Sequence, residues 1–147
     1  LIGSQEQQPG ASHAAEAVVR TPDGLELNLE KTYAPAAGLR FLRRRFVLSP
    51  EGLELTDRLL LEDPMPVTWV FLLRDLPELA PGKIIAGNLI LRFSDRLTGR
   101  AEELPMTDPR MARNWPGSLW RVLLESPPDR AFEEQFVFSE AANQGGV

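Results

Sequence analysis

From residue 25 to residue 30, apolar and polar side chains alternate strictly, with Leu25, Leu27 and Leu29 set against Glu26, Asn28 and Glu30. A period of two places the leucines on one face of a β-strand and the polar groups on the other. The pattern predicts a strand over residues 25–33, entered through the turn-forming run Pro22-Asp23-Gly24. Residues 39–49 read as a second strand, with Leu39 and Phe41 on one parity and Leu42, Phe46 and Leu48 on the other. That switch predicts a bulge near residues 43–45. Pro50-Glu51-Gly52 then forms a short hairpin link into a strand on which Leu53, Leu55, Leu59 and Leu61 share one face and Asp57 intrudes among them.

Residues 67–73 are apolar on both parities (Val67, Trp69, Phe71, Leu73 and Val70, Leu72). This predicts a strand buried on both faces, in the middle of a sandwich. Residues 83–93 read as a strand pair or one bent strand, broken at Gly87-Asn88. Residues 118–126 and 132–139 read as a closing pair around Pro127-Pro128-Asp129. Only residues 108–114, following a Thr-Asp-Pro start, offer a helical turn. Residues 1–17 form an irregular or edge segment and residues 141–147 a frayed tail. The expectation is one all-β domain over residues 1–147, an antiparallel β-sandwich of about eight strands with little or no helix. The 13 prolines and 11 glycines spaced between short runs agree with it.

A chain of 147 residues is long enough to bury a core without covalent staples. That matters because it has no cysteine, which removes disulfides, thiolate metal sites and a cysteine nucleophile together. The net charge of -5 favours solubility and argues against whole-surface nucleic-acid binding. The longest apolar run falls far short of the ~20 residues of a membrane-spanning helix, so no membrane partner is expected. Leu1-Ile2-Gly3 reads like the tail of a strand, and the chain is taken as a fragment of a larger protein, with its compartment left open.

Little in the chain suggests a catalytic centre. Its one histidine, His13, falls in a loop and reads as a solvated bystander, and a triad or a zinc site usually needs more. Its one tyrosine, Tyr33, reads as a half-buried residue at a strand end. No cofactor is called for. The most conspicuous cluster is Arg40, Arg43, Arg44 and Arg45, in an otherwise acidic chain. Guanidinium forks grip carboxylates and sulfates bidentately, which suits an acidic polysaccharide. The plainer reading, and the preferred one, is pairing with Glu26, Glu30, Glu54 or Asp57 on neighbouring strands. Trp115, in a loop ahead of Pro116-Gly117, is the tryptophan best placed to stack on a sugar ring.

Several segments, taken in order, carry a resemblance. They are Leu1-Ile2-Gly3 with Gln7-Gln8-Pro9-Gly10, then Leu27-Asn28-Leu29 with Thr32-Tyr33-Ala34, then Arg44-Arg45-Phe46-Val47-Leu48 leading into Leu53-Glu54-Leu55-Thr56-Asp57-Arg58. Last come Leu104-Pro105-Met106-Thr107-Asp108-Pro109, Asn114-Trp115-Pro116-Gly117 and Leu119-Trp120-Arg121-Val122. This series resembles the C-terminal β-domain of heparinase II/III-like proteins, a family that includes polysaccharide lyases. Pro116 between Trp115 and Gly117, and Trp120 where a tyrosine is more usual, depart from its pattern.

The resemblance implies a parent with an (α/α) toroid and an earlier β-region, acting on uronic-acid-containing glycans by β-elimination. The family's catalytic groups lie in those upstream parts, so none is carried onto a residue here. The domain is then expected to be a structural piece that packs on the toroid and β-region and either supports the fold or forms one wall of a glycan cleft, in which case acidic polysaccharide is its ligand. The other expectation is an autonomous carbohydrate-binding sandwich. An apolar surface left uncovered by the parent would drive dimerisation in isolation.

Overall fold

A computed structural model describes residues 1–141. The frayed tail expected at residues 141–147 falls outside the described residues, apart from Ala141. Eleven strands run in chain order: β1 (Glu16–Thr21), β2 (Gly24–Asn28), β3 (Leu39–Ser49), β4 (Gly52–Met65), β5 (Thr68–Leu73), β6 (Glu78–Ala80), β7 (Lys83–Ala86), β8 (Leu89–Arg92), β9 (Thr98–Pro105), β10 (Ser118–Glu125) and β11 (Asp129–Glu140). They form an eight-stranded antiparallel sheet in the order β1-β2-β3-β4-β11-β8-β7-β6 and a three-stranded sheet in the order β5-β10-β9. The fold is an all-β sandwich with one large and one small sheet. Besides three 3-10 turns (Ala11–His13, Glu30–Thr32 and Pro35–Ala37), the described residues hold one α-helical turn, α1 (Pro109–Ala112), capped by the Asp108 side chain accepting from the Arg110 N–H. It lies where the Thr-Asp-Pro start predicts one.

The centre of the large sheet is the β3–β4–β11 meander. Ser49 pairs with Gly52 at the predicted hairpin, and Gly52 sits at φ 144°, a conformation open to glycine and strained for other residues. A Cβ built there would stand 2.0 Å from the carbonyl oxygen of Phe138 on β11. Glycine therefore both turns the hairpin and lets β11 approach it. Leu55 and Leu59 on β4, Leu42 on β3, and Phe132 and Phe136 on β11 point to the small sheet and are buried. There they meet Trp69 and Phe71 of β5. Ring centroids are 6.1 Å apart for Trp69–Phe132, 5.6 Å for Trp69–Phe136, 5.1 Å for Phe71–Phe136 and 5.4 Å for Phe71–Phe138, all tilted or edge-on. Such contacts contribute about 0.5–1.5 kcal/mol each beyond area burial.

Several expectations need correction. Among the described residues the strands number eleven, three more than expected: β1, β6 and β9 lie at sheet edges, where a clean apolar stripe is not required. Along β1 Val18 and Val19 are exposed, and the register shifts between Glu16 and Val19, where Ala17 has φ 47°. The irregularity in β3 falls between Leu39 and Phe41 instead of at residues 43–45. Beyond it Leu42, Arg44, Phe46 and Leu48 share the inner parity, and Phe41, Arg43, Arg45 and Val47 the outer.

Residues 67–73 are not buried on both faces. β5 is an edge strand of the small sheet, and Val70 and Leu72 are 42% and 59% exposed while Trp69 and Leu73 are buried. Finally, β10 and β11 do not pair with each other. β10 lies between β5 and β9, and β11 between β4 and β8, so Pro127-Pro128 carries the chain from one sheet to the other. The strand at residue 25 stops at Asn28, and Tyr33 follows a 3-10 turn, bridged to Gln7. Among the described residues no helix is long and apolar enough to cross a membrane.

Candidate functional site

Alternation along β3 splits the arginine cluster between two environments. Arg44 faces inward, its side chain 29% exposed. Its Nε donates to Asp57 Oδ1 at 2.7 Å and its Nη2 to Oδ2 at 2.6 Å, the bidentate fork that suits guanidinium and carboxylate. Asp57 is 1% exposed and also accepts from Trp69 Nε1 at 2.9 Å. Burial works to lower the Arg44 pKa, but the hydrogen bonds and charge of Asp57 outweigh it and hold the guanidinium above its ordinary value. Directly opposite Asp57 on β11 stands Glu134, 2% exposed, bonded by Arg96 Nε at 2.6 Å. Arg96 in turn lies over the Phe132 ring, 5.6 Å from its centroid. The inner face thus carries a row of paired charges, Arg44–Asp57 and Glu134–Arg96, whose carboxylates are buried while their arginines reach out to solvent. For Arg44 the pairing reading holds, with Asp57 as its carboxylate.

Arg43 and Arg45 face outward, on the side of the large sheet that the small sheet does not cover. Their row-mates define a groove of about 850 Å³. One row across the sheet reads Asn28, Arg43, Arg58, Glu133, and the next Glu26, Arg45, Thr56, Gln135. Phe41 and Glu54 complete the lining. Arg58 Nη2 donates to Glu133 Oε1 at 2.8 Å, and Arg45 lies 3.8 Å from Asp23. Arg43 has no carboxylate within ion-pair distance among the described residues, although Arg58, another cation, is directly opposite it. Cross-strand neighbours lie about 4.5–5.5 Å apart at Cβ, and like charges there are destabilising. The groove floor therefore holds guanidinium donors beside the carboxylates of Glu26, Glu54 and Glu133, the Thr56 hydroxyl and the Gln135 amide. This lining can bind an anion and accept hydrogen bonds from hydroxyls at the same time.

The other sequence candidates lie elsewhere. Arg40, in the β3 irregularity, is exposed and 4.0 Å from Glu62. Trp115, 43% exposed, follows α1 and does not line the groove. His13 sits in a 3-10 turn with Nδ1 3.0 Å from the Lys31 carbonyl oxygen. Tyr33 is half-buried near Arg44 and Asp57; burial lifts its hydroxyl above the ordinary tyrosine pKa, Asp57 adds to this, and Arg44 opposes it. Among the described residues no three His, Cys, Asp or Glu side chains gather as a metal site.

Arg58, Glu133, Thr56 and Gln135 were missed as groove residues by sequence reasoning. Their signal lay in the register of β4 and β11 against β3, which alternation does not determine on its own. Compared with protein-family models and with curated proteins, the chain matches none.

Proposed function

We propose that this domain is a non-catalytic β-sandwich that holds acidic polysaccharide in the groove on the outer face of its large sheet. We propose further that it serves as one glycan-contacting wall of a heparinase II/III-like protein whose upstream parts carry out β-elimination. The observation that carries the glycan reading is Arg43, without a carboxylate partner among the described residues and directly opposite Arg58, on the floor of a groove that also presents carboxylates, a hydroxyl and an amide. A densely charged polyanion would meet repulsion from Glu26, Glu54 and Glu133. A uronate polymer brings both carboxylates for the arginines and hydroxyls for the acidic side chains. The family reading is supported by the ordered motif series. Its packing half is supported by Val70, Leu72 and Leu76, exposed apolar side chains in and just after edge strand β5.

The test is titration of the purified domain with heparin, heparan sulfate, alginate and hyaluronan at low and moderate salt, alongside Arg43→Ala. Saturable binding that survives moderate salt is expected. The variant should bind roughly tenfold more weakly, equivalent to about 1.4 kcal/mol. No binding by the wild type, or an Arg43→Ala affinity equal to it, would overturn the groove reading. The isolated domain should also release no unsaturated products from these polymers, and clear release would contradict its non-catalytic role.

A further inference from the structure

We infer that the groove is one of two anion-binding subsites flanking β11, and that its ligand is an extended oligosaccharide bound across β11 at both. The inference rests on the glycan reading proposed above and specifies the form of the ligand. A second hollow, of about 500 Å³, lies on the β8 side of β11, and Glu133 and Gln135 line both hollows. The two hollows adjoin at these residues, and the second also reaches the Arg96 and Glu134 pair beyond the end of β8.

Arg92 lines the second hollow from the outer face of β8, opposite Val137 on β11 and opposite Lys83 on β7. Lys83 and Arg92 thus repeat the arrangement of Arg43 and Arg58, two cations directly opposed across neighbouring strands. Neither has a carboxylate within ion-pair distance among the described residues. Arg92 Nη1 donates to Ser139 Oγ at 3.2 Å, which leaves most of its donors unused. Of these four cations only Arg58 has a carboxylate partner among the described residues, Glu133; Arg43, Lys83 and Arg92 have none, and directly opposed like charges are destabilising, so an anion placed between them would relieve the repulsion.

The spacing of the pairs sets the size of the ligand. Arg58 and Arg92 flank β11 on opposite sides, separated by two strand spacings, about 10 Å. Their partners on β11, Glu133 and Val137, are four residues apart, about 13 Å along the strand. The diagonal between the two Cα positions is therefore about 16 Å, by the same geometry. No single sugar ring spans that distance, whereas a short run of linked rings does. The intervening ridge of Glu133 and Gln135 then meets the uncharged, hydroxyl-bearing stretch between two anionic groups.

The test measures affinity for alginate oligomers of graded length, from the monomer to the octamer, using the wild type, Arg43→Ala and the double variant Lys83→Ala/Arg92→Ala. Thermal melts confirm folding, which exposed Lys83 and Arg92 should not control. In the wild type, affinity should rise by an order of magnitude, about 1.4 kcal/mol, once the oligomer reaches both subsites. The double variant should bind short oligomers like the wild type and lose that gain. Arg43→Ala should weaken binding at every length. If short oligomers bind but affinity does not grow with length, or the double variant keeps the full gain, the second subsite is refuted and the groove reading stands. If the wild type binds no alginate oligomer of any length and no polymer of the panel above, both are refuted.

Discussion

Asp57 and Arg58 are neighbours on β4, yet their side chains fall on opposite faces of the sheet, and their replacement should have very different consequences. Asp57→Ala would strip Arg44 of its carboxylate partner and leave the Trp69 Nε1–H, inside the core, without its acceptor. Removing one partner of a buried ion pair costs about 3–5 kcal/mol, because the other charge is left uncompensated. Arg44 keeps a partial route to water, which puts the expected cost toward the lower part of that range. For a domain of this size each kcal/mol lowers Tm by roughly 2–4 °C, so a drop on the order of 10 °C is expected. Arg58→Ala breaks its bond to Glu133, but both side chains are more than half exposed, and such pairs contribute about 0–1 kcal/mol. Urea unfolding followed by tryptophan fluorescence measures both, since Trp69 reports the core directly. Asp57→Asn should fall between them, because the amide oxygen still accepts from Trp69 while the charge is lost. If Asp57→Ala cost no more than Arg58→Ala, the inner charge row would not be the buried, mutually dependent network described above.

Three further outcomes follow from the geometry. Tyr33 is the chain's only tyrosine, so an absorbance titration reads this residue alone; it should ionise above the ordinary tyrosine range. Its folded pKa is raised, so the stabilisation linked to it is complete below the unfolded-state pKa and is lost as pH rises through the folded value. A midpoint at or below that of free tyrosine would contradict its burial. Gly52→Ala should destabilise the domain by several kcal/mol or prevent folding, because the added methyl meets the Phe138 carbonyl at a positive-φ position; a melt unchanged within about 0.5 kcal/mol would contradict this packing. Trp115→Ala should leave both the melt and alginate binding unchanged, since Trp115 lies outside the groove, and a large loss of binding would move the site to the α1–β10 loop.

The sequence made local strand character legible wherever one face had to be apolar. Leu25 and Leu27, the leucines of β4 and the turn at Gly87-Asn88 all follow from period and turn chemistry. Alternation would also separate Arg44 from Arg43 and Arg45, but the bulge expected at residues 43–45 hid this, the irregularity lying instead between Leu39 and Phe41. It does not reveal that Asp57 is Arg44's partner or that Arg58 opposes Arg43, because those facts depend on register between strands. Pairing was misread where a turn signal stood in for topology: Pro127-Pro128 looks like a hairpin link but connects two sheets. Val70 and Leu72 misled in a different way. Apolar residues on both parities are compatible with two covered faces, but an edge strand with one exposed face tolerates them as well.

The facing carboxylates of Asp57 and Glu134 also bear on how the chain finds its alignment. Sliding β11 by two residues along β4 would keep every side chain on its own face, so the apolar pattern by itself does not oppose that error. After such a slide Asp57 would lie against Phe132 or Phe136, and Glu134 against Leu55 or Leu59, each acid displaced from the arginine that neutralises it. The row of charges acts as an index mark between strands, penalising the one class of misalignment to which hydrophobic burial is blind.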